Sequence, residues 1–420
     1  MSEHKVFWFI NQYSSTPETA MGGRHYYLAQ ELAKKGHQVY IIAGSYSHLL
    51  RHPKKIEGEY LIENIMPNFN FVWVKLPNYG GAHSKERIIN EFRFAWKLRK
   101  IKNIIDHKPN AILYSSPALI GYLGAKKLAD FFDCSLIFEV RDPWPLTLVE
   151  LGGYSNNHPF IKLLQWIEDR AYKRADFVFS NFFNAIEHMQ LRGLDKVKFH
   201  WIPNGVSLQE VEKKEPLDIK IIKQIPKDKF IIGYTGTIGI ANAMDYLIEA
   251  AQLVAENNHI HFVLVGDGKE KENLIQKMKE KSLSNITFIE SIPKKQIQSI
   301  LEKFDVCYIG WQKNKMYRLG VAANKLPEYL YSGKPIIHSF SGAGDFVQQA
   351  NAGISIEAED PLLIAQAIQQ MYQLTDQERS NLGKNGRKFV LQHLDYTKLA
   401  DKLERIIFQD FEEKNNETFT

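Results

Sequence analysis

The chain is short of cysteine and of long apolar runs and lacks any Asp-x-Asp pair, and each shortage removes a class of protein. Its two cysteines, Cys134 and Cys307, sit in apolar runs (CSLIFEV and DVCYIGW). Both read as buried strand residues in a reducing compartment, not as a disulfide or a metal pair. No stretch reaches the roughly 18 apolar residues that a membrane span requires. The N-terminal MSEHKVFWFINQ is apolar too briefly, with Lys5 interrupting it, to act as a signal peptide, so a cytoplasmic location is the expectation. Asp-x-Asp is missing, as is any His, Cys or carboxylate cluster with metal-ligand spacing; chemistry independent of a metal or other cofactor is expected. G-x-G-x-x-G follows neither Val6–Ile10 nor Phe230–Tyr234, which argues against a dinucleotide-dependent oxidoreductase. Low-complexity sequence is absent, and the one disordered candidate is the acidic, polar tail Glu412–Thr420.

What is present is a rhythm. At 420 residues, 44 % hydrophobic and 24 % charged, the chain is globular in composition and too long for one ordinary core. Apolar, β-branched runs alternate with amphipathic stretches, the pattern of βα units on parallel sheets. Strands are predicted at Val6–Ile10, Gln38–Ala43, Phe69–Leu76, Ala111–Ser115, Ser135–Val140, Phe177–Ser180 and Lys198–Ile202. A charged, apolar-poor linker, VSLQEVEKKEPLD, follows. The rhythm then restarts with Phe230–Tyr234, His261–Val265, Ile286–Glu290, Val306–Gly310, Pro335–Ser339 and Gly353–Ile356. The expectation is an α/β protein of two Rossmann-like, doubly wound parallel-sheet domains, 1–205 and 206–394. Residues 395–420 form a helix that packs back on the first domain, ending in the polar tail. Ligands of such sheets bind at the carboxyl ends of the strands.

Four segments could carry chemistry there. Tyr234-Thr-Gly-Thr-Ile-Gly239 follows the first strand of the second half; Gly236 and Gly239 let backbone approach a bulky anion, although a plain βα turn would look the same. Leu264-Val-Gly-Asp-Gly268 suits a turn close to a base or ribose. Ala323-Asn-Lys-Leu-Pro-Glu-Tyr-Leu-Tyr-Ser-Gly-Lys-Pro-Ile336 reads as a helix capped by Asn324 and closed by Gly333, with Leu326 and Leu330 facing the core. Glu328 then projects from another face, where it could accept two hydrogen bonds from a ribose diol, or be a solvated helix glutamate. In the first half, Asp142 of Arg-Asp-Pro-Trp-Pro145 follows a strand, and its carboxylate could orient or deprotonate a hydroxyl or simply pair with Arg141. A Trp between two prolines has no obvious folding need.

NKLPEYLYSGKPI, YTGTIG, VLVGDG and IPNGV together resemble glycosyltransferase family 4, retaining enzymes of the GT-B architecture, over essentially the whole chain. RDPWP read with NKLPEY is similar to the bacterial subgroup that includes N-acetylfucosamine transferases of surface polysaccharide (O-antigen or capsule) assembly. The resemblance implies two domains facing across a cleft. It implies transfer of a sugar from a nucleotide diphosphate donor, a UDP-sugar and an N-acetylated one included, onto a lipid-linked oligosaccharide or similar saccharide. Donor contacts are implied at Gly22, Gly23, Gly236, Thr237, Gly239, Gly266, Gly268, Arg318, Gly320, Val321, Ala322, Asn324, Lys325 and Glu328, and catalytic roles at Asp142 and His25, the latter also readable as a surface helix-start residue. Two positions depart from the family. Gly320 stands where a second glutamate is usual, leaving backbone amides of Gly320–Ala322 to meet the sugar; the loop TGTIGIANAM lacks the usual Arg and Lys, leaving Arg318 and Lys325 as the nearest cations. Rival readings are a transferase of GDP-mannose or another hexose, and a nucleotide-sugar-binding protein without catalysis.

Charge is uneven. Met1–Gly205 holds 26 Lys and Arg against 19 Asp and Glu, a net +7, and the remainder a net −2. Ser84–Lys102 (SKERIINEFRFAWKLRKIK) alone has seven basic residues. It is either an interfacial helix resting on anionic lipid through Arg93, Trp96, Lys97 and Lys100, at the inner face of the membrane, or a core helix with a solvated basic face. No nucleic-acid partner is read from it.

Overall fold

The computed structural model describes residues 4–81 and 84–417, with 409–417 as backbone alone. Two units divide the chain, Met1–Pro203 with Tyr396–Thr420, and Asn204–Asp395. The first contains β1 (Val6–Ile10), α1 (Arg24–Lys34), β2 (Gln38–Gly44), β3 (Tyr60–Met66), β4 (Phe69–Val74), α2 (Lys85–Leu98), β5 (Ala111–Ser115), α3 (Tyr122–Phe132), β6 (Ser135–Val140), α4 (Leu146–Glu150), α5 (Pro159–Arg174), β7 (Phe177–Ser180), α6 (Ala185–Leu191) and β8 (Phe199–Trp201). Its sheet runs β3-β4-β2-β1-β5-β6-β7-β8, parallel except where β3 lies antiparallel to β4.

β1 shows why the sheet is covered on both sides. Its sequence, VFWFI, has no polar residue to turn to water. Trp8 and Ile10 pack in one core layer with Phe94, Leu128 and Leu164 of α2, α3 and α5, and Phe7 and Phe9 in the other with Leu28 and Leu32 of α1. Side chains alternate along a strand, so a wholly apolar run needs helices on both faces. β3 went unread in the sequence. It is an edge strand carrying Glu63 and Asn64, it leaves Leu61 and Ile62 partly exposed, and its register slips between Asn64 and Met66. A strand paired on one side buries little and so carries a weak apolar pattern.

The second unit contains α7 (Leu208–Glu212), α8 (Ile219–Ile222), β9 (Phe230–Thr235), α9 (Met244–Leu253), β10 (Ile260–Val265), α10 (Lys271–Glu280), β11 (Ile286–Ile289), α11 (Ile297–Leu301), β12 (Val306–Gly310), α12 (Lys325–Ser332), β13 (Ile336–Ser339), α13 (Phe346–Gln349), β14 (Gly353–Ile356), α14 (Pro361–Gln373) and α15 (Asp376–His393). Its strands are all parallel in the order β11-β10-β9-β12-β13-β14. Chain order reverses between β1 and β5 in one sheet and between β9 and β12 in the other; crevices for ligands open at such points. α16 (Tyr396–Glu417) belongs to the first unit. Tyr396 stacks on Tyr27 with ring centroids 5.3 Å apart, and Leu399, Leu403 and Ile407 join the core layer of Phe7.

Three local expectations change. The charged stretch after Gly205 is built into the second unit: Val206 bridges to Asp395, and Val211 on α7 is buried. Cys134 is half-buried and precedes β6, whereas Cys307 is buried within β12. The tail predicted from Glu412 continues α16 through Glu417, with 418–420 outside the described residues.

Candidate functional site

In the second unit the loops after β9 and β10 lie backbone against backbone. Gly236 has φ +136° and Gly266 φ +146°, and a Cβ on Gly266 would fall 1.9 Å from the Gly236 carbonyl oxygen, so neither tolerates a side chain. The Gly236 amide donates to Val265 O and the Ile238 amide to Asp267 O, which locks Gly236, Thr237 and Gly239 beside Gly266 and Gly268. A 3-10 turn, Ile240–Asn242, separates this loop from α9.

α12 brings Lys325 into that loop. Its Nζ would lie 2.9 Å from a Cβ on Gly236, donates to Tyr234 Oη at 2.8 Å and to Asn242 Oδ1 at 3.2 Å, and sits 4.3 Å from the Tyr234 ring centre. No carboxylate pairs with it among the described residues, and burial pushes its ammonium down to about 7. A half-buried cation with neutral partners alone is unfavourable, and a bound anion would relieve it.

Glu328, one turn further along α12, is largely buried, and burial raises its carboxyl. It is not solvated as a plain helix glutamate would be, nor is it free: Lys294, next to α11, forms an ion pair with it. Leu326 and Leu330 face the core, and Gly333 closes the helix with φ +74°. Asn324 departs from expectation. It stands at the cap position without a capping bond, because its Oδ1 accepts from Asn204 Nδ2 at 2.9 Å; the same Asn204 amide donates to Ala322 O. The Gly320 amide, expected to face a sugar, is taken by the Tyr317 carbonyl, and exposed Arg318 donates to Lys315 O at 2.6 Å. Val321 is half-buried in the same segment.

In the first unit a buried charge cluster lies at the carboxyl ends of β1, β5 and β6. Gly22 (φ +67°) and Gly23 (φ +95°) lead into α1, whose first residues, Arg24 and His25, are buried rather than on the surface. Glu139 on β6 accepts from Arg24 Nε at 2.7 Å, His25 Nε2 at 2.6 Å and Ser115 Oγ at 2.7 Å; Arg24 also donates to Pro203 O. Burial favours a neutral Glu139, but Arg24, His25 and Arg141 hold its carboxyl well below the usual range. Burial lowers His25, so its imidazole is neutral, with Nε2–H toward Glu139 and Nδ1 accepting from Ser14 Oγ at 3.2 Å. Glu139 was missed, though a carboxylate inside the apolar run SLIFEV was a visible signal.

Asp142 does not pair with Arg141. Its two oxygens accept from Trp144 Nε1 at 2.8 Å and Thr147 Oγ1 at 2.5 Å, and burial raises its carboxyl. The indole of Trp144 therefore has a folding role after all, holding the loop through Asp142.

Along α2, Phe94 is core, while Trp96 is 57 % exposed with Lys100 over its ring. Arg93 is exposed and bonds Asn90, but Lys97 is committed to Glu59 and to the Lys75 carbonyl. A cavity of about 410 Å³ lies beside Trp96, lined also by Arg99, Lys100, Lys102, Lys127 and Phe131. Among the described residues no three His, Cys, Asp or Glu side chains gather as a metal site, and no helix is long and apolar enough to cross a membrane.

Residues 24–210 match the family model described as Glycosyltransferase Family 4, and residues 217–389 the one described as Glycosyl transferases group 1. No curated protein matches the chain in sequence. Among solved structures it is similar to sucrose-phosphate synthase from Thermosynechococcus elongatus (15 % identity, 98 % of this chain and 100 % of that one, TM-score 0.71). It is also similar to an E. coli structure described as trehalose-6-phosphate bound with UDP-2-fluoro glucose (10 %, 96 % and 98 %, 0.73). A third is Anabaena HepE in complex with UDP and glucose (12 %, 96 % and 99 %, 0.64). At these identities the likeness is one of fold.

Proposed function

The chain is a GT-B glycosyltransferase of the family 4 type, and from that premise we propose that its second unit holds a UDP-sugar with Lys325 as the counter-charge of the diphosphate. The observation that carries this reading is the half-buried, carboxylate-free ammonium of Lys325 against the Gly236 loop. As the bond from the sugar to the diphosphate breaks, charge gathers on the leaving oxygens; a fixed ammonium and the amides of Thr237 and Gly239 stabilise that charge without a bound metal ion. Glu328 takes the ribose diol in exchange for Lys294. The fold shared with structures solved with UDP or a UDP-sugar supports the choice of nucleotide.

Transfer is retaining, to a lipid-linked oligosaccharide or similar saccharide of surface polysaccharide synthesis; the resemblance of RDPWP and NKLPEY to the N-acetylfucosamine transferase subgroup supports this and an N-acetylated sugar. Asp142, raised by burial, orients the acceptor hydroxyl and draws on its proton, while His25 lines the same strand ends. Incubation with a panel of UDP-sugars should release UDP slowly without acceptor, at the same rate with EDTA. Absence of nucleotide binding, or turnover abolished by EDTA and restored by Mg²⁺, sinks the reading.

The exposed Trp96 and Phe131 beside Arg99, Lys100, Lys102 and Lys127 support peripheral contact with an anionic membrane at its cytoplasmic face. Arg93/Lys100→Glu should lose co-sedimentation with anionic vesicles at low salt. Wild-type binding that ignores salt, or no binding, contradicts it.

A further inference from the structure

We infer that Trp311, held in place by His338 and Asp345, receives the donor sugar and discriminates among sugars. This rests on the nucleotide reading of the second unit and adds the part of the site that the nucleotide does not occupy.

Strand order fixes where the sugar falls. Across the carboxyl edge of the sheet, β11 is followed by Lys294, the partner of Glu328; β10 by Gly266; β9 by Gly236 and the Lys325 ammonium; β12 by Trp311; and β13 by Phe340. A nucleoside on Glu328 and a diphosphate on Lys325 therefore run from β11 toward β9, and the group beyond the second phosphate continues over β12 and β13. The two regions are in direct contact. The Gln312 amide donates to Ala241 O at 3.2 Å, and a Cβ on Gly310 would meet Asn242 O at 2.9 Å, Asn242 being a partner of Lys325.

What waits there is aromatic. Trp311 is half-buried, its ring 5.7 Å from Tyr317 and 6.5 Å from Phe340. His338 is fully buried and uses both ring nitrogens. Nδ1–H donates to Asp345 Oδ1 at 2.9 Å, so Nε2 is left to accept from the indole Nε1–H at 3.0 Å. Asp345 is itself fixed by the amides of Val347 and Gln348, and Phe340 stacks on the imidazole at 4.9 Å. This chain spends the one polar group of the indole inward and leaves a ring whose face is apolar. Such a surface suits the C–H face of a hexose and gives no hydrogen bond to a hydroxyl, so it ranks sugars by the face they present. Trp311 is the residue in contact, and His338 and Asp345 are positioning residues.

Calorimetric titration of wild type, Trp311→Phe, Trp311→Ala and His338→Ala with UDP, UDP-glucose, UDP-galactose, UDP-N-acetylglucosamine and UDP-N-acetylgalactosamine tests this. Trp311→Ala should keep the Kd for UDP within about twofold, weaken the preferred UDP-sugar roughly tenfold and flatten the ranking among sugars. Trp311→Phe should keep the ranking, and His338→Ala, with the indole unfixed, should flatten it without changing UDP. Equal weakening of UDP and UDP-sugars by Trp311→Ala would make the cluster a packing element and overturn the inference, as would an unchanged ranking. Failure of UDP to bind wild type would overturn the nucleotide reading and this inference with it.

Discussion

Replacing Lys325 by methionine should move stability and affinity in opposite directions. Unfolded, the ammonium loses its proton near the ordinary 10.5; folded and buried without a carboxylate, near 7. The folded state therefore bears the full cost below pH 7, and the cost fades as pH rises from 7 to 10.5. At pH 7 it is on the order of 4 kcal/mol. The contacts to Tyr234 and Asn242, lost with the side chain, return about 1 kcal/mol each. Methionine has nearly the same volume, so the variant should be more stable than wild type by roughly 1–2 kcal/mol at pH 7, more at pH 6 and not at all at pH 10. A charge-assisted contact to phosphate contributes about 1.5–3 kcal/mol, so the Kd for UDP should rise roughly 10- to 100-fold. Urea unfolding across pH and calorimetric titration with UDP measure the two. A variant that binds UDP like wild type, or that is markedly less stable, would refute the reasoning and make Lys325 a structural lysine.

Glu328→Ala should weaken UDP by about 2–4 kcal/mol and abolish discrimination against 2′-deoxy-UDP; unchanged affinity in a folded variant removes the ribose role. Asp142→Asn should lower transfer about 10²- to 10⁴-fold with UDP affinity intact, and equal losses in both would mark Asp142 as a loop anchor of Trp144 and Thr147. Glu139→Gln leaves Arg24 buried beside a neutral amide and should cost about 3–5 kcal/mol in urea unfolding at pH 7. Because Glu139 is held well below the usual carboxylate range, that difference should persist at neutral pH and shrink only as pH falls below the unfolded carboxylate range.

The two parallel sheets were legible because strands such as Val6–Ile10 and Val306–Gly310 are apolar end to end and buried on both faces. β3 was not, since an edge strand with Glu63 and Asn64 can face water. Gly236, Gly266 and Gly268 could be found locally, because loops that touch backbone to backbone there admit no other residue. Sequence proximity offered Arg318 and Lys325 equally as cations for the Gly236 loop; that Lys325 reaches Gly236 while Arg318 bonds Lys315 O is fixed only once α12 is packed on the sheet. Trp144 was misjudged for the same kind of reason, its indole bond to Asp142 being a feature of loop geometry that sequence spacing does not disclose.

The most direct measurement is a crystal structure of the protein with a UDP-sugar bound in the presence of EDTA. The account predicts the diphosphate within hydrogen-bonding reach of Lys325 Nζ and the Thr237 and Gly239 amides, the ribose diol on Glu328 with Lys294 released, and no metal ion on the phosphates. A nucleotide bound away from Lys325, or a diphosphate that binds only with a divalent ion between it and the protein, would contradict it.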